Sequence, residues 1–139
     1  MRQEVGIVEV LTPGRGLFEV TGEVRGWVRS AGIERGLLTV FIRHTSASLV
    51  IQENADPDVV GDLGRWMGRL VEDGDSIFEH TLEGPDDMAA HVRSALTQTQ
   101  LSIPVDDGAP LLGTWQGIYV WEHRVRSHRR QLALHLIGD

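Results

Sequence analysis

The 139-residue chain has no lysine and no cysteine; all 13 of its Lys+Arg positions are arginine. Each absence removes chemistry. Without an ε-amine there is no lysine Schiff base, no phosphate-loop lysine and no attachment point for biotin or lipoate. Without a thiol there is no thiolate catalysis, iron–sulfur cluster, cysteine zinc site or disulfide. Any chemistry is left to His, Asp, Glu, Arg, hydroxyl groups and backbone. Long apolar runs are also missing, and none approaches the ~20 residues of a membrane span. The opening Met1-Arg2-Gln3-Glu4 leads straight into strand-like sequence, so no signal peptide is expected. A soluble cytoplasmic protein is the simplest expectation, with no membrane partner.

What is present reads as one globular domain spanning 1–139. The apolar share is 41%, ordinary for a folded chain. The net charge of −7 disfavours nucleic acid, since phosphate-backbone binding draws on positive charge. It leaves room for a small anion at a local arginine cluster. No repeat, low-complexity tract or linker divides the chain.

Residues 3–11 alternate and predict a strand. Residues 21–30 predict a short helix capped by Thr21, with Val24, Trp27 and Val28 on one face. Two strands follow at 36–43 and 47–53. Asp56-Pro57 is a helix start, a cap followed by proline at the first helical position. That helix carries Val59, Leu63, Met67 and Leu70 on one stripe and Gly61, Gly64 and Gly68 opposite. The glycines either let another backbone close or are tolerated at the surface. A further helix starts at Pro85. Asp86 and Asp87 lie in its first turn, and Met88, Val92, Ala95 and Leu96 form its apolar stripe. Strands are expected at 100–105, 117–124 and 130–137, the last with Leu132, Leu134 and Leu136 on one face. Strands in groups with two or three helices inserted predict α+β with a mostly antiparallel sheet.

Six histidines are the main candidates for chemistry. His135 and His128 read as ordinary surface or hydrogen-bonded residues. His44 opens HTSAS (44–48), where small and hydroxyl residues let a ligand approach backbone amides. His91 lies one helical turn after Asp87, so both share a helix face. That pair is either an oriented imidazole, at a metal or as a base, or an ordinary surface pair. His80 precedes the Glu83-Gly84-Pro85 turn into the same helix, and that turn can carry His80 and His91 to one site. Three histidines from different elements would suit an open zinc-type centre. Glu122 and Arg124 share one face of a strand, as a buried polar site or a strand emerging into solvent. Arg124, Arg126, Arg129 and Arg130 form a basic run that is either a phosphate clamp or a solvated hairpin turn.

Three strings, HTSASLVIQENADP (44–57), EHTLEGPDDMAAH (79–91) and LLGTWQGIYVWEHR (111–124), together resemble the YjbQ-type family, some members of which are described as secondary thiamine-phosphate synthases. The likeness runs from about Gly36 to the C-terminus. It departs from the family at Thr97–Thr99, where a glycine is usual, and at Ala89, where some members have proline. The resemblance implies an antiparallel sheet or sandwich covered by two or three helices and assembled as a homotrimer. It also implies a divalent metal, zinc among the candidates, held by His44, His80 and His91. On the same basis His44, His91, Asp87 and Glu122 take catalytic roles. Thr45, Ser46, Asn54, Thr114, Gln116 and Arg124 contact a small phosphorylated metabolite. Thiamine-phosphate synthesis is the activity this implies. A metal-dependent phosphate-ester hydrolase and a non-catalytic metal- or metabolite-binding trimer are the alternatives.

Overall fold

The structure, a computed structural model, describes residues 1–139. Its elements follow in the order β1 (Arg2–Thr12), β2 (Gly16–Glu19), α1 (Thr21–Ala31), β3 (Gly36–Ile42), β4 (Ala47–Glu53) and α2 (Pro57–Leu70). Then come α3 (Asp87–Leu96), β5 (Gln100–Asp106), β6 (Ala109–Pro110), β7 (Gln116–Glu122) and β8 (His128–Gly138). The fold is α+β, as expected. The strands form two sheets, β1-β8-β3-β5-β6 and β2-β7-β4, and every strand pairing is antiparallel.

The two sheets face each other across the main core. Leu38, Val40 and Ile42 of β3 and Leu132, Leu134 and Leu136 of β8 meet Leu49 of β4 and Ile118 and Val120 of β7. Val24 and Val28 of α1 enter the same cluster. A smaller cluster lies on the other side of β7, where Trp121 packs with Met67, Val71 and Ala89 beneath α2 and α3. β7 is therefore covered on both faces, which is why Gly117–Glu122 is one continuous buried run rather than an alternating one. The outer face of the five-stranded sheet carries no helix. Val5, Ile7, Leu11, Leu37, Phe41 and Ile137 are exposed there.

Several local expectations change in the structure. Thr21 is the first helical residue of α1 rather than its cap; its hydroxyl donates to Glu19 Oε2 at 2.8 Å and accepts from the Ile118 amide at 2.9 Å. Asp56 does cap α2, accepting from the Asp58 amide at 2.9 Å, with Pro57 next. Gly64 and Gly68 face open space and Gly61 meets only the Arg65 side chain of its own helix, so no other element of the chain packs close against the helix glycines. β7 ends at Glu122, so Arg124 lies beyond the strand, and His128 opens β8.

The largest reversal is in α3. It buries Asp87, Ala89, Ala90, Arg93 and Ser94, while Ala95 and Leu96 of the expected apolar stripe face solvent. The partners explain this. Ser94 Oγ donates to the Ala47 carbonyl at 3.0 Å, and Arg93 Nη2 donates to the Val71 carbonyl at 2.6 Å. The two alanines let the helix lie close to β4; Ser94 Oγ and Arg93 Nη2 meet acceptors that local periodicity cannot reveal, while Arg93 Nε and Nη1 are buried without a partner.

His123 follows β7 and is 1% exposed, with its Nε2 2.8 Å from Ser48 Oγ. Burial, and then the charge of Arg93, pushes its pKa from 6.5 down to about 3. The folded state thus refuses a proton that the unfolded chain accepts. Stability is unaffected by this group above its unfolded pKa and falls as pH drops from there towards the folded value. His44, also pushed down by burial and by Arg130, adds a term of the same sign. Urea unfolding between about pH 4.5 and 6 should show His123 contributing a loss near 1.4 kcal/mol per pH unit. His123→Gln should flatten that slope by about one proton, and an unchanged slope would show that His123 is not held neutral.

Candidate metal centre

Asp87 stands where α3 begins, with its carboxylate 3% exposed. Oδ2 lies 2.8 Å from His80 Nε2 and 3.2 Å from His91 Nε2. Oδ1 accepts from Arg124 Nη1 at 2.7 Å. One buried carboxylate is therefore faced by two imidazoles and a guanidinium. The i,i+4 spacing on α3 supplies His91, and the turn through Glu83 and Gly84 brings back His80. Glu83 completes the group: one ligand atom from each of His80, Glu83, Asp87 and His91 lies within 4.8 Å of the others. The side chains of His80 and Glu83 are 46% and 62% exposed, so the cluster is open on one side.

The neighbouring acid shapes the scaffold. Asp86 is the cap residue of α3, yet its side chain makes no capping bond. It accepts instead from Arg124 Nε at 2.9 Å and from the Val125 amide at 3.0 Å. Arg124 Nη2 donates to the Glu83 carbonyl at 3.0 Å. One guanidinium thus ties the turn after β7 to both first-turn acids and to the Glu83 turn. Burial works against ionising Asp87. The hydrogen bond with His80 and the charge of Arg124 outweigh it and hold the carboxyl below its ordinary range. Asp86 is lowered in the same way, with burial opposed by the Val125 amide and Arg124.

The proton positions make a demand. His91 Nδ1 lies 3.0 Å from the Thr45 carbonyl, which can only accept, so Nδ1 carries a proton. A neutral His91 then points an Nε2 lone pair at the ionised Asp87 oxygen. Two acceptors face each other unless a proton or a cation lies between them. Two imidazole nitrogens and two carboxylates, with no thiol, are donors that suit a borderline divalent ion such as zinc. Ligand atoms about 2.1 Å from one tetrahedral ion stand roughly 3.4 Å apart, close to the nitrogen–oxygen spacings found here.

The other expected site residues divide. His44 does not join the cluster: its Nε2 accepts from the Gln131 amide at 2.8 Å, and Glu83 and Asp87 supply donors where the three-histidine set placed it. Thr45 contributes its carbonyl to His91. Ser46 is buried, its Oγ accepting from Arg130 Nη2 at 3.0 Å. Glu122 faces inward with no exposure and is occupied by Thr12, Arg130 and the Arg124 amide, so it has no free lone pair facing the site. Its carboxyl is lowered because those hydrogen bonds, Arg130 first, outweigh the opposing effect of burial.

Asn54, Thr114 and Gln116 sit at the opposite end of β7, where Glu53 pairs with Gln116; Ala47 pairs with Glu122 at the histidine end. Six residue steps of strand put the two ends about 20 Å apart. Asn54 donates to Glu19 Oε2 at 2.9 Å, and Gln116 Oε1 accepts from the Gly113 amide at 2.8 Å. Within one chain these three close a loop and do not reach the histidines. Glu83 and Asp86 were missed as site residues by sequence reasoning. The signal available for Glu83 was its place between His80 and Asp87 in a chain without cysteine.

Fold and cluster together define a class: an antiparallel two-sheet α+β protein with a histidine–carboxylate cluster at one pole. The chain belongs to the family described as UPF0047 protein YjbQ-like, whose profile matches residues 7–139. A UPF0047 protein of Synechocystis sp. is 47% identical over 138 residues, covering 99% of this chain and 94% of that protein. UPF0047 protein YjbQ of Escherichia coli O157:H7 is 40% identical over 126 residues, covering 90% and 91%. Among solved structures, a hypothetical protein of Aeropyrum pernix K1 matches with a TM-score of 0.88 at 30% identity, covering 98% of this chain and 99% of that one. A YbjQ-like protein of unknown function from Sulfolobus solfataricus P2 shares the fold, with a TM-score of 0.85 at 20% identity, covering 99% and 100%.

Arg124 is the strut of this pole, and removing it strands two acids of low exposure. Arg124→Gln should cost on the order of 3 kcal/mol in urea unfolding at neutral pH. Adding Asp86→Asn should return part of that loss, because one uncompensated charge is gone. Strictly additive losses would show that the two side chains are not coupled.

Proposed function

We propose that the chain is a divalent-metal-dependent enzyme acting at the phosphate or diphosphate group of a small metabolite. The observation that carries this reading is the facing of His91 Nε2 and His80 Nε2 on one oxygen of Asp87, with His91 Nδ1 already given to Thr45. His80, His91, Asp87 and Glu83 would hold the ion. A divalent cation there supplies charge neutralisation for phosphate oxygens and acidifies water. The protein's own groups do the positioning. The Thr45 carbonyl fixes the His91 ring, as outer partners commonly do for metal-ligating histidines. Arg124 fixes the Asp87 carboxylate. The exposed carboxylate of Glu83 stands at the open side, so the ion it would help to hold is reachable by a ligand from solvent.

The family resemblance names one reaction of this kind, thiamine-phosphate synthesis. A hydroxymethylpyrimidine diphosphate there loses pyrophosphate as it joins a thiazole phosphate. Neutralising a departing diphosphate is work that a metal–arginine pole suits. Ester hydrolysis is the second reading, favoured by the access of water to His80 and Glu83. We further propose a homotrimer. The bare outer face of the five-stranded sheet, with its exposed Val5, Ile7, Leu37 and Phe41, supports burial against another copy.

Native mass spectrometry and calorimetry should find one divalent ion per chain. Asp87→Asn and His91→Ala should weaken its binding by at least about tenfold, while His44→Ala should retain it. Parent-like metal binding in the Asp87→Asn/His91→Ala double variant would show that the site lies elsewhere. Turnover of the two thiamine-phosphate precursors, or of simple phosphomonoesters, should be abolished by a chelator. Metal binding with ligand stabilisation and no turnover would replace the enzyme reading with a binding module. Light scattering at micromolar concentration should give three times the 15.4 kDa chain mass, and a monomer mass would remove the trimer.

A further inference from the structure

Four of the thirteen arginines fall within seven residues, at 124, 126, 129 and 130. Three are spent on carboxylates. Arg124 holds Asp86 and Asp87, Arg129 pairs with Glu9, and Arg130 pairs with Glu122. Arg126 has no carboxylate partner, in a chain of net charge −7 where acids outnumber arginines. It lines a cavity of about 420 Å³ between the Glu83-Gly84 turn and the turn joining β7 to β8. Arg124, Ser127 and His128 share that lining, and Leu82 is its one apolar member.

The turn is held in place before any ligand arrives. The Arg124 amide donates to Glu122 and the Val125 amide to Asp86. His128 Nδ1 donates to the Arg126 carbonyl at 2.8 Å, and His128 pairs with Thr12 of β1. The Arg126 guanidinium and the Ser127 hydroxyl, on a braced turn, offer the donors that a phosphate group accepts, and His128 closes the wall beside them. The cavity is sized for a small molecule rather than a polymer.

Glu83 lines the same cavity and is also one of the four cluster residues. Its negative charge would repel an anion beside it. A divalent cation shared by Glu83, Asp87 and the two histidines would balance both carboxylates and remove that repulsion.

We infer that Arg126 and Ser127, with His128 as the adjoining wall, form the phosphate subsite of this pole and receive the terminal phosphate of a small phosphomonoester or diphosphate beside the cation. The inference rests on the metal-centre reading in that the cation offsets Glu83. The anion contacts themselves belong to the turn.

The test is calorimetric titration of the full-length protein with inorganic phosphate, pyrophosphate and glycerol 3-phosphate, with zinc and after chelation, alongside zinc binding measured directly. The expected result is binding of the phosphate probes that tightens with zinc. Arg126→Gln should weaken it by about tenfold or more, the loss of one charge-assisted contact, and Ser127→Ala by less. Zinc affinity should be unchanged in both variants, which separates this subsite from the ion's ligands. Arg126 is exposed, so its replacement leaves folding intact, and thermal unfolding verifies that. Arg126-dependent phosphate binding without any zinc binding would keep the subsite and remove the metal reading. No phosphate binding by the zinc-loaded protein, or equal binding by Arg126→Gln, would overturn the subsite. Binding of glycerol 3-phosphate but not of the inorganic anions would assign the pocket to organic esters.

Discussion

The pole that carries the candidate chemistry depends on one buried ion pair, Glu122 with Arg130. Glu122 ends the central strand of the three-stranded sheet, and Arg130 lies near the start of a strand in the five-stranded sheet. Both are almost fully buried. Glu122 also takes the hydroxyl of Thr12 from β1 and the amide of Arg124, while Arg130 reaches Ser46 before β4. Four segments meet on one carboxylate and its guanidinium. Burying such a pair is costly and stabilises little beyond well-packed apolar residues. What it supplies is position, because every lone pair and N–H must find its partner and only one arrangement satisfies them all.

From that junction the rest of the pole follows by short steps. The chain leaves Glu122 with Arg124 two residues on, already directed at the first turn of α3. Arg124 then meets Asp86 and Asp87 and fixes where α3 begins. Asp87 in turn sets the distance between His80 and His91. The first-turn acids are thus committed to Arg124 and the imidazoles, and the favourable helix-dipole contact expected of them is secondary. The polar burial of α3 has the same origin. With Asp87, Ala90 and Ser94 turned inward, Val92 of the apolar stripe is still half-buried against the second cluster, while Ala95 and Leu96 are left to solvent.

Much of this was legible in the sequence. Alternation gave Leu132, Leu134 and Leu136 their common face, and a proline after an aspartate marked the start of α2. The His91–Asp87 pair was visible as one helical turn, and His80 as a residue returned to it by a glycine–proline turn. What could not be read was which acceptors lie across from a side chain. Nothing local to HTSAS reveals that the Gln131 amide, on a strand far along the chain, occupies His44 Nε2. Nor does any spacing reveal that Ser94 and Arg93 find carbonyls at Ala47 and Val71. Within one chain, β7 holds the residues of the family motifs at two opposite ends. Asn54 and Gln116 hold the loop at one end while Glu122 braces the histidine pole at the other, a separation that strand register sets and motif strings do not display.

The absence of lysine acquires a geometric meaning here. Arg124 directs Nε, Nη1 and Nη2 to three different acceptors, Asp86, Asp87 and the Glu83 carbonyl. Arg130 grips one carboxylate with two nitrogens and still reaches Ser46. A planar fork can join three fixed groups at set angles, whereas an ammonium on a flexible stem is a point charge without a preferred plane. The two junctions that define this pole are therefore arginine junctions by geometry as well as by charge. Both guanidinium charges are already balanced by carboxylates of the fold, and Arg130 is buried as well. Recognition of an anionic ligand falls to positive charge the scaffold does not consume, which is the position Arg126 holds at the edge of the same turn.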